Sequence, residues 1–416
     1  MNLDSLCAAF DYPESVKHAL HEIWNETVAQ MPQGILPFMA VDFCRKYYPL
    51  TDGAPKHLER MKECSRIAAE NPAAMHLAWL LHYGTFLRKK LFHFPDLPLP
   101  EKVFGNNAGM FQFMLALSCV PLIEKKLEQM NIPVSFAHDI TKWVKGTIRI
   151  YETGHHGLPG FNFCQLYWMR YYTEGKLFRI GRLEYLLHNA PAWMPAVYKN
   201  RYDGSLKVFC PDRWRFLPDG SRPLTETPDE ETCITSLKIA DGRLTGTPIL
   251  PNGKVLLDRT ESIRLDEWEP ICSPWEPVPS IHIPGGGGMT PEIVKQSMLE
   301  AKQFFRKYFN MDIRMFVCCS WILNPDWERE LPDSNMVKFL QEGYAFPGTE
   351  TQGKEGLFFV FGSNDADPFA FPKENRLYEA FRRILKSGGI LRNGGVFFLT
   401  DRLNEFGTQC YRRNLD

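Results

Sequence analysis

At 416 residues the chain is longer than one hydrophobic core commonly organises, so two domains, or three, are expected. Hydrophobic residues at 44% and charged residues at 23% exclude a chain dominated by disorder. Lys and Arg number 48 against 49 Asp and Glu; the net charge of −1 leaves no electrostatic footprint for nucleic acid or an anionic membrane and points to small molecules or proteins as partners.

Eleven cysteines are an odd count without framework spacing, and Cys44, Cys119, Cys164, Cys318 and Cys319 sit among apolar residues, as free buried thiols do. A reducing, cytoplasmic compartment is expected. The first residues lack the basic region and apolar core of a signal peptide, and Met110 to Leu122 is too short to span a bilayer, so neither secretion nor membrane insertion is expected.

To about Tyr151 the signals are helical. Leu20, Ile23, Trp24, Thr27 and Val28 keep helical spacing, Ala73 to Leu91 is rich in helix formers after Pro72, and Gly109 to Met130 is a long apolar segment interrupted near Pro121. An all-α N-terminal domain over residues 1–155 follows, with 156–416 as the second domain. Trp24, Tyr47, Tyr48, Trp79 and Trp143 suit core and interdomain packing better than a cofactor box. His155 and His156 lie on a turn-rich connector without spaced Cys, Asp or Glu partners; that is a poor metal-ligand set and favours a solvated or capping role, so no metal is expected.

Asn162 to Tyr172 reads as a helix. Lys176 to His188 reads as a strand with a bulge, or a close backbone approach, at Gly181, and period two places Arg182 and Glu184 on one face as an ion pair or as the flank of a pocket. From Ala196 to Leu265, turn signals at Asp203-Gly204, Asp219-Gly220, Asp241-Gly242 and Asn252-Gly253 predict a β meander, and a Pro- and Trp-rich connector from Trp268 to Pro279 follows.

Ser280 to Phe309 is a short apolar strand, a run of four glycines, and a helix. Thr290 suits the N-cap and Pro291 the first helical position, and Val294, Met298, Ala301, Phe305 and Tyr308 form the apolar stripe. Glycines before a helix start let a ligand approach free N–H groups at the positive end of the dipole, so the run is either a mobile surface turn or a phosphate or pyrophosphate site. Further on, Arg314 to Leu323 reads as a buried strand, Asp333 or Ser334 as the cap of a short helix, Leu357 to Phe361 as a buried strand, Phe371 to Lys386 as an amphipathic helix and Gly395 to Thr400 as a last strand.

The fold class is therefore α+β, with an all-α domain before a mainly antiparallel sheet with flanking helices. A glycine loop after a meander is not the Rossmann arrangement, and Gly-Gly-Gly-Gly-Met-Thr lacks the Lys-Ser or Lys-Thr of a P-loop. The order resembles the GNAT acyltransferase fold. Phe178-Arg-Ile-Gly-Arg-Leu-Glu, Ile281-His-Ile-Pro, Ser297 with Ala301 and Phe304-Phe305, Ser320-Trp-Ile-Leu and Ser334-Asn335 resemble the acyltransferase family that pairs a helical N-acyltransferase N-terminal domain with a GNAT-like C-terminal domain.

That resemblance implies transfer of an acyl group from acyl-CoA or acetyl-CoA, as cosubstrate, to an unidentified amine on a small molecule or peptide, with the helical domain covering the acceptor pocket. It places Ile283, Gly285, Gly286, Gly287, Gly288, Met289 and Thr290 on the cofactor. The chain departs from the GNAT pattern where Pro284 stands at the loop start in place of Gln or Arg. Acyl transfer needs a base, an oxyanion donor and an acid for the leaving thiolate. His282 or Glu184 are candidate bases, the Ile283 N–H the oxyanion donor, and Ser320 or Tyr344 the acid; each has a structural alternative, in hydrogen bonding, ion pairing or packing. The alternative for the whole chain is a GNAT-like binding or scaffold protein without catalysis.

Overall fold

The computed structural model describes residues 1–142, 144–273, 276–372 and 375–413. Trp143, given a packing role above, and Trp275 of the Trp268–Pro279 connector lie outside the described residues. The chain divides into two compact units, Met1–Phe178 and Arg179–Asp416.

The first unit is helical: α1 (Leu3–Ala9), α2 (Glu14–Ala29), α3 (Val41–Tyr47), α4 (Pro55–Glu70), α5 (Pro72–His82), α6 (Glu101–Phe104), α7 (Ala108–Leu117), α8 (Val120–Gln129), α9 (Ser135–Thr141), α10 (Val144–Gly154) and α11 (Leu166–Thr173). Every residue of α7 is buried, and it packs against α4, α5, α6 and α11, which is why it is apolar on all sides. Residues 101–129 are long and apolar enough by composition to cross a bilayer, yet most of that surface is buried inside the unit, as in a core helix. His155 stacks on Tyr151 with its Nδ1 3.0 Å from the Tyr151 carbonyl.

The second unit holds a six-stranded sheet in the order β1-β2-β11-β12-β14-β13. Its members are β1 (Leu177–Ile180), in which the unit boundary falls, β2 (Leu183–Asn189), β11 (Pro277–His282), β12 (Met315–Ser320), β13 (Tyr344–Pro347) and β14 (Gly394–Leu399). Between β2 and β11 lie β3 (Ala196–Asn200), β4 (Leu206–Phe209), β5 (Arg215–Phe216), β6 (Cys233–Ile234), β7 (Leu237–Ala240), β8 (Arg243–Gly246), β9 (Glu261–Arg264) and β10 (Trp268–Pro270). They form three small sheets, β10-β3-β4, β5-β6 and β7-β8-β9, instead of one meander, and the start of the expected connector is strand β10, paired with β3. The turn signals hold locally: Asp241 and Gly242 both have positive φ, 49° and 69°, as a tight hairpin between β7 and β8 requires.

The sheet is covered on both sides, so β12 and β14 are apolar without alternation. One face carries Val278, Val317, Phe397 and Tyr344 into a core with Val197, Phe216, Ile249 and Ile271 of the inserted strands. The other carries Tyr185 and Phe316 onto α12 (Pro291–Phe309), where Phe305 is fully buried. Burial of such a ring contributes about 2–3 kcal/mol. The helix buries Val294, Ser297, Met298, Ala301, Phe304 and Phe305, close to the predicted stripe, and ends on Asn310 at φ 54°. The remaining helices are α13 (Trp327–Glu330), α14 (Asn335–Glu342), capped by Ser334 as predicted, α15 (Leu357–Phe361) and α16 (Arg376–Lys386).

Several expectations are overturned. Leu357–Phe361 is a helical turn, with Leu357 and Phe361, four residues apart on one face, entering a cluster with Phe381 and Ile384. Lys176 to His188 is not one bulged strand but a hairpin, with Gly181 at φ 59° and Arg182 as its two-residue turn, so period two does not carry across it. The close approach expected at Gly181 is present: a Cβ there would lie 3.1 Å from Glu300 Oε2 and 3.4 Å from Ser297 Cα. All eleven cysteines are free, and Cys164 is exposed where a buried thiol was expected.

Candidate active site

The geometry starts from Ser297, at the middle of the buried face of α12. Its Oγ donates to the Ile180 carbonyl at 2.6 Å, accepts from the Leu183 N–H at 3.2 Å and lies 2.9 Å from the Tyr185 hydroxyl. These bonds grip the β1–β2 turn on either side and fix Arg182 at its tip. Arg182 then reaches the glycine loop: Nε donates to the Gly288 carbonyl at 2.7 Å, and Nη2 to the carbonyls of Pro284 at 2.7 Å and Gly287 at 3.2 Å. Burial lowers the pKa of this guanidinium, Arg179 adds to the effect and Glu184 opposes it. Its Nη1 is buried without a hydrogen-bond partner among the described residues.

In a planar trans peptide the carbonyl of one residue and the N–H of the next point in opposite directions. Gathering the carbonyls of Pro284, Gly287 and Gly288 onto Arg182 therefore turns the N–H groups of Gly285, Gly288 and Met289 away from it. None of these amides donates to another group among the described residues. Gly285 to Gly288 are exposed, Gly286 takes φ 82°, and Met289 is buried beneath them. Oriented successive amides of this kind form an anion-binding concavity.

Thr290 occupies the N-cap with Pro291 behind it, but its hydroxyl makes no cap bond to the helix. The Glu292 carboxyl is held below its usual range by its own backbone N–H and by the Thr290 hydroxyl, so a carboxylate already sits on the first turn.

β11 and β12 run parallel, registered at Ser280 opposite Val317, while the antiparallel ladders on their outer sides run the full strand length. Beyond Ser280, Ile281 and His282 lead to the loop, and Cys318, Cys319 and Ser320 end the neighbouring strand. Across the other ladder His282 lies directly opposite Glu184, and residues opposite each other share a face. His282 and Glu184, which is 5% exposed, thus stand together on the face that the inserted strands cover. His188 and Ser280 are on the same face, joined by a hydrogen bond between His188 Nε2 and Ser280 Oγ. Burial, with His188 adding to it, pushes the His282 imidazole down to about 4.

The other two candidates are elsewhere. Ser320 is one residue out of phase with Cys319 and so faces α12; its Oγ accepts from the Ile322 N–H at 3.4 Å. Tyr344 lies on β13 in a row that runs through Phe397 and Val317 to Ser280, three strands from β11, about 14 Å at ~4.8 Å per strand. Its hydroxyl donates to the Ile249 carbonyl at 2.6 Å and its ring stacks on Phe397. Arg182 as a loop support and His188 as a neighbour of His282 went unassigned; a hairpin break at Gly181 would have exposed the first, and the period-two step from Glu184 to His188 the second.

A mainly antiparallel sheet with one opening parallel pair, a glycine loop and a following helix defines a GNAT-like domain. The chain belongs to the family described as the GNAT-like C-terminal domain, whose model matches residues 177–398. It is similar, at 18% identity over 96% of this chain and 99% of the other, to an acyltransferase in complex with CoA and 10C-teicoplanin, with a TM-score of 0.63. The same identity and coverage, with a TM-score of 0.62, relate it to an acyltransferase in complex with decanoyl-CoA and teicoplanin and to an acyltransferase mutant in complex with octanoyl-CoA. At this identity the likeness is one of fold. No curated protein matches the chain in sequence.

Proposed function

We propose that the protein is an N-acyltransferase that moves an acyl group from acyl-CoA to an amine on a small molecule or peptide. The observation that carries this is the set of loop amides turned outward by Arg182 at the start of α12, beside the opening between β11 and β12. They suit a pyrophosphate, and the buried, unpartnered Nη1 of Arg182 adds positive charge behind them. The complexes of the structural relatives with CoA, octanoyl-CoA and decanoyl-CoA support the cosubstrate, and those with teicoplanin support a small-molecule or peptide acceptor.

The thioester would lie in the opening, with its carbonyl toward the Ile283 N–H. Amine attack forms the C–N bond and puts negative charge on that oxygen, where a fixed donor is most effective. His282 is neutral at pH 7 and accepts the amine proton. A base this weak takes the proton only after C–N bond formation has made the ammonium acidic. Glu184, opposite it, stabilises the imidazolium. Ser320, at the end of β12 beside the opening, is better placed than Tyr344 to protonate the departing thiolate.

Calorimetry with acetyl-, octanoyl- and decanoyl-CoA, followed by thiol release over a panel of amines, tests this. Micromolar binding and sustained CoA release are expected. No binding at millimolar acyl-CoA would remove the enzyme, and binding without release above hydrolysis would leave a GNAT-like scaffold.

A further inference from the structure

The row of side chains that holds His282 is open over only a short length. Across the ladders it runs Glu184, His282, Cys319, Gly395 and Phe346. Glu184 is opposite His282, Gly395 is opposite both Cys319 and Phe346, and Cys319 stands two residues beyond Val317 as His282 stands two beyond Ser280. Residues in one row share a face, here the one that the inserted strands cover. Glu184, Gly395 and Phe346 are buried, while His282 and Cys319, on either side of the opening, are half-buried. The accessible part of the row is therefore one strand spacing wide, at least ~4.8 Å.

Phe346 closes the Cys319 end. Its ring takes the place of a Cβ at Gly395, so a side chain of the edge strand leans over the neighbouring strand toward Cys319. Trp193, half-buried, stacks on that ring at 6.3 Å and 18°. On the other side of the ring is a cavity of about 80 Å³, mostly apolar, with Phe346, Gly395, Leu323 and Leu340 in its wall; Cys319, one strand nearer His282, is not part of it. The charged groups around this cavity are matched within the chain. Glu350 faces Arg222 at 3.6 Å, and the Asp219 carboxyl, which burial alone would raise, is held below its usual range by Ser221 and Arg392. What the cavity offers is apolar surface.

We propose that the space over Cys319 receives the acyl group, and that the Phe346 ring, by closing it off from the cavity, restricts the enzyme to short acyl groups. A width of ~4.8 Å spans about three bonds of ~1.5 Å, enough for acetyl to butyryl. A cavity of roughly 150 Å³ admits benzene, so the volume behind the ring would take about three further carbons. The assignment rests on the acyl-transfer reading and adds which acyl groups it serves.

The test is calorimetry on the full chain with CoA and with acetyl-, butyryl- and octanoyl-CoA. It compares the wild type with Phe346→Ala and Trp193→Ala, each checked for native melting. Burying one methylene is worth about fourfold in affinity. In the wild type, affinity is expected to rise from acetyl- to butyryl-CoA and to rise no further with octanoyl-CoA. Phe346→Ala should bind octanoyl-CoA at least tenfold more tightly than the wild type does, with CoA itself changed less than twofold. Trp193→Ala frees the ring to turn and should shift the octanoyl-CoA value about threefold in the same direction. Should one variant not fold, the other carries the result. Octanoyl-CoA binding the wild type more tightly than butyryl-CoA, or an unchanged chain-length dependence in the folded variants, overturns the role of Phe346. CoA still binds in those cases and the acyl-transfer reading stands; no binding of CoA or of any acyl-CoA at millimolar concentration removes both.

Discussion

Arg182 Nη2 donates to the carbonyl of Pro284 at 2.7 Å, so the residue that stands where other GNAT loops begin with Gln or Arg is held by an arginine from the β1–β2 turn. Charge is supplied from behind the loop instead of from its first residue. Hydrogen bonds to charged groups are worth about 1.5–3 kcal/mol. Arg182→Met should therefore weaken acyl-CoA binding by tenfold or more while the protein still melts cooperatively, as read by calorimetry and thermal denaturation. Unchanged affinity would show that the loop holds its shape without the arginine.

The glycines are not equivalent. A Cβ at Gly287 would lie 2.9 Å from Arg182 Nε, whereas one at Gly288 meets nothing within 4 Å. Gly287→Ala is expected to lower acyl-CoA affinity several-fold and Gly288→Ala to change it by less than half as much in free energy. Equal effects would mean that Arg182 does not set the loop.

Glu292 offers a test of the opposite sign. Its carboxylate sits on the first turn of α12, where a pyrophosphate would be its electrostatic competitor. Glu292→Gln should tighten acyl-CoA binding a few-fold at low salt, with the gain fading as ionic strength rises. Weaker binding in this variant would place the phosphates elsewhere.

Tyr344 separates packing from chemistry. Tyr344→Phe removes the bond to the Ile249 carbonyl and should cost about 1 kcal/mol of stability in urea titrations, with turnover unchanged. A tenfold loss of kcat at unchanged stability would restore it as the acid.

His282 makes stability depend on pH with a defined sign. Its folded pKa of about 4 lies below the ordinary imidazole value of 6.5, so between those values the unfolded chain binds the additional proton and stability falls as pH falls. His82, buried and pushed down to about 3, acts in the same direction in the first unit. The folding free energy should decline from pH 6.5 toward pH 4, and His282→Asn should reduce that slope, measured by urea titration at each pH.

Sequence patterns showed α12, β12 and β14, because a nineteen-residue amphipathic helix and two strands buried on both faces keep one periodicity throughout. They failed where elements are short. Leu357–Phe361 is aromatic and β-branched like a strand, but Gly356 and Gly362, both left-handed, close it into a single turn. β13 is four residues between Gly343 and Gly348 and left no pattern. At the site, the glycine run and His282 were visible as residues. That His282 faces Glu184, or that Arg182 faces the loop, depends on strand register and on a hairpin turn, which local composition does not set.

Four consecutive glycines have more backbone freedom to lose than any other tetrad, about 1–2 kcal/mol for each residue fixed. Since three carbonyls of Pro284–Gly288 are already tied to Arg182, and Arg182 is tied through its turn to Ser297, that ordering belongs to folding and not to ligand capture. A ligand meeting the loop finds the amides in place, so its association carries little loop-ordering entropy, and its affinity depends on what the amides touch.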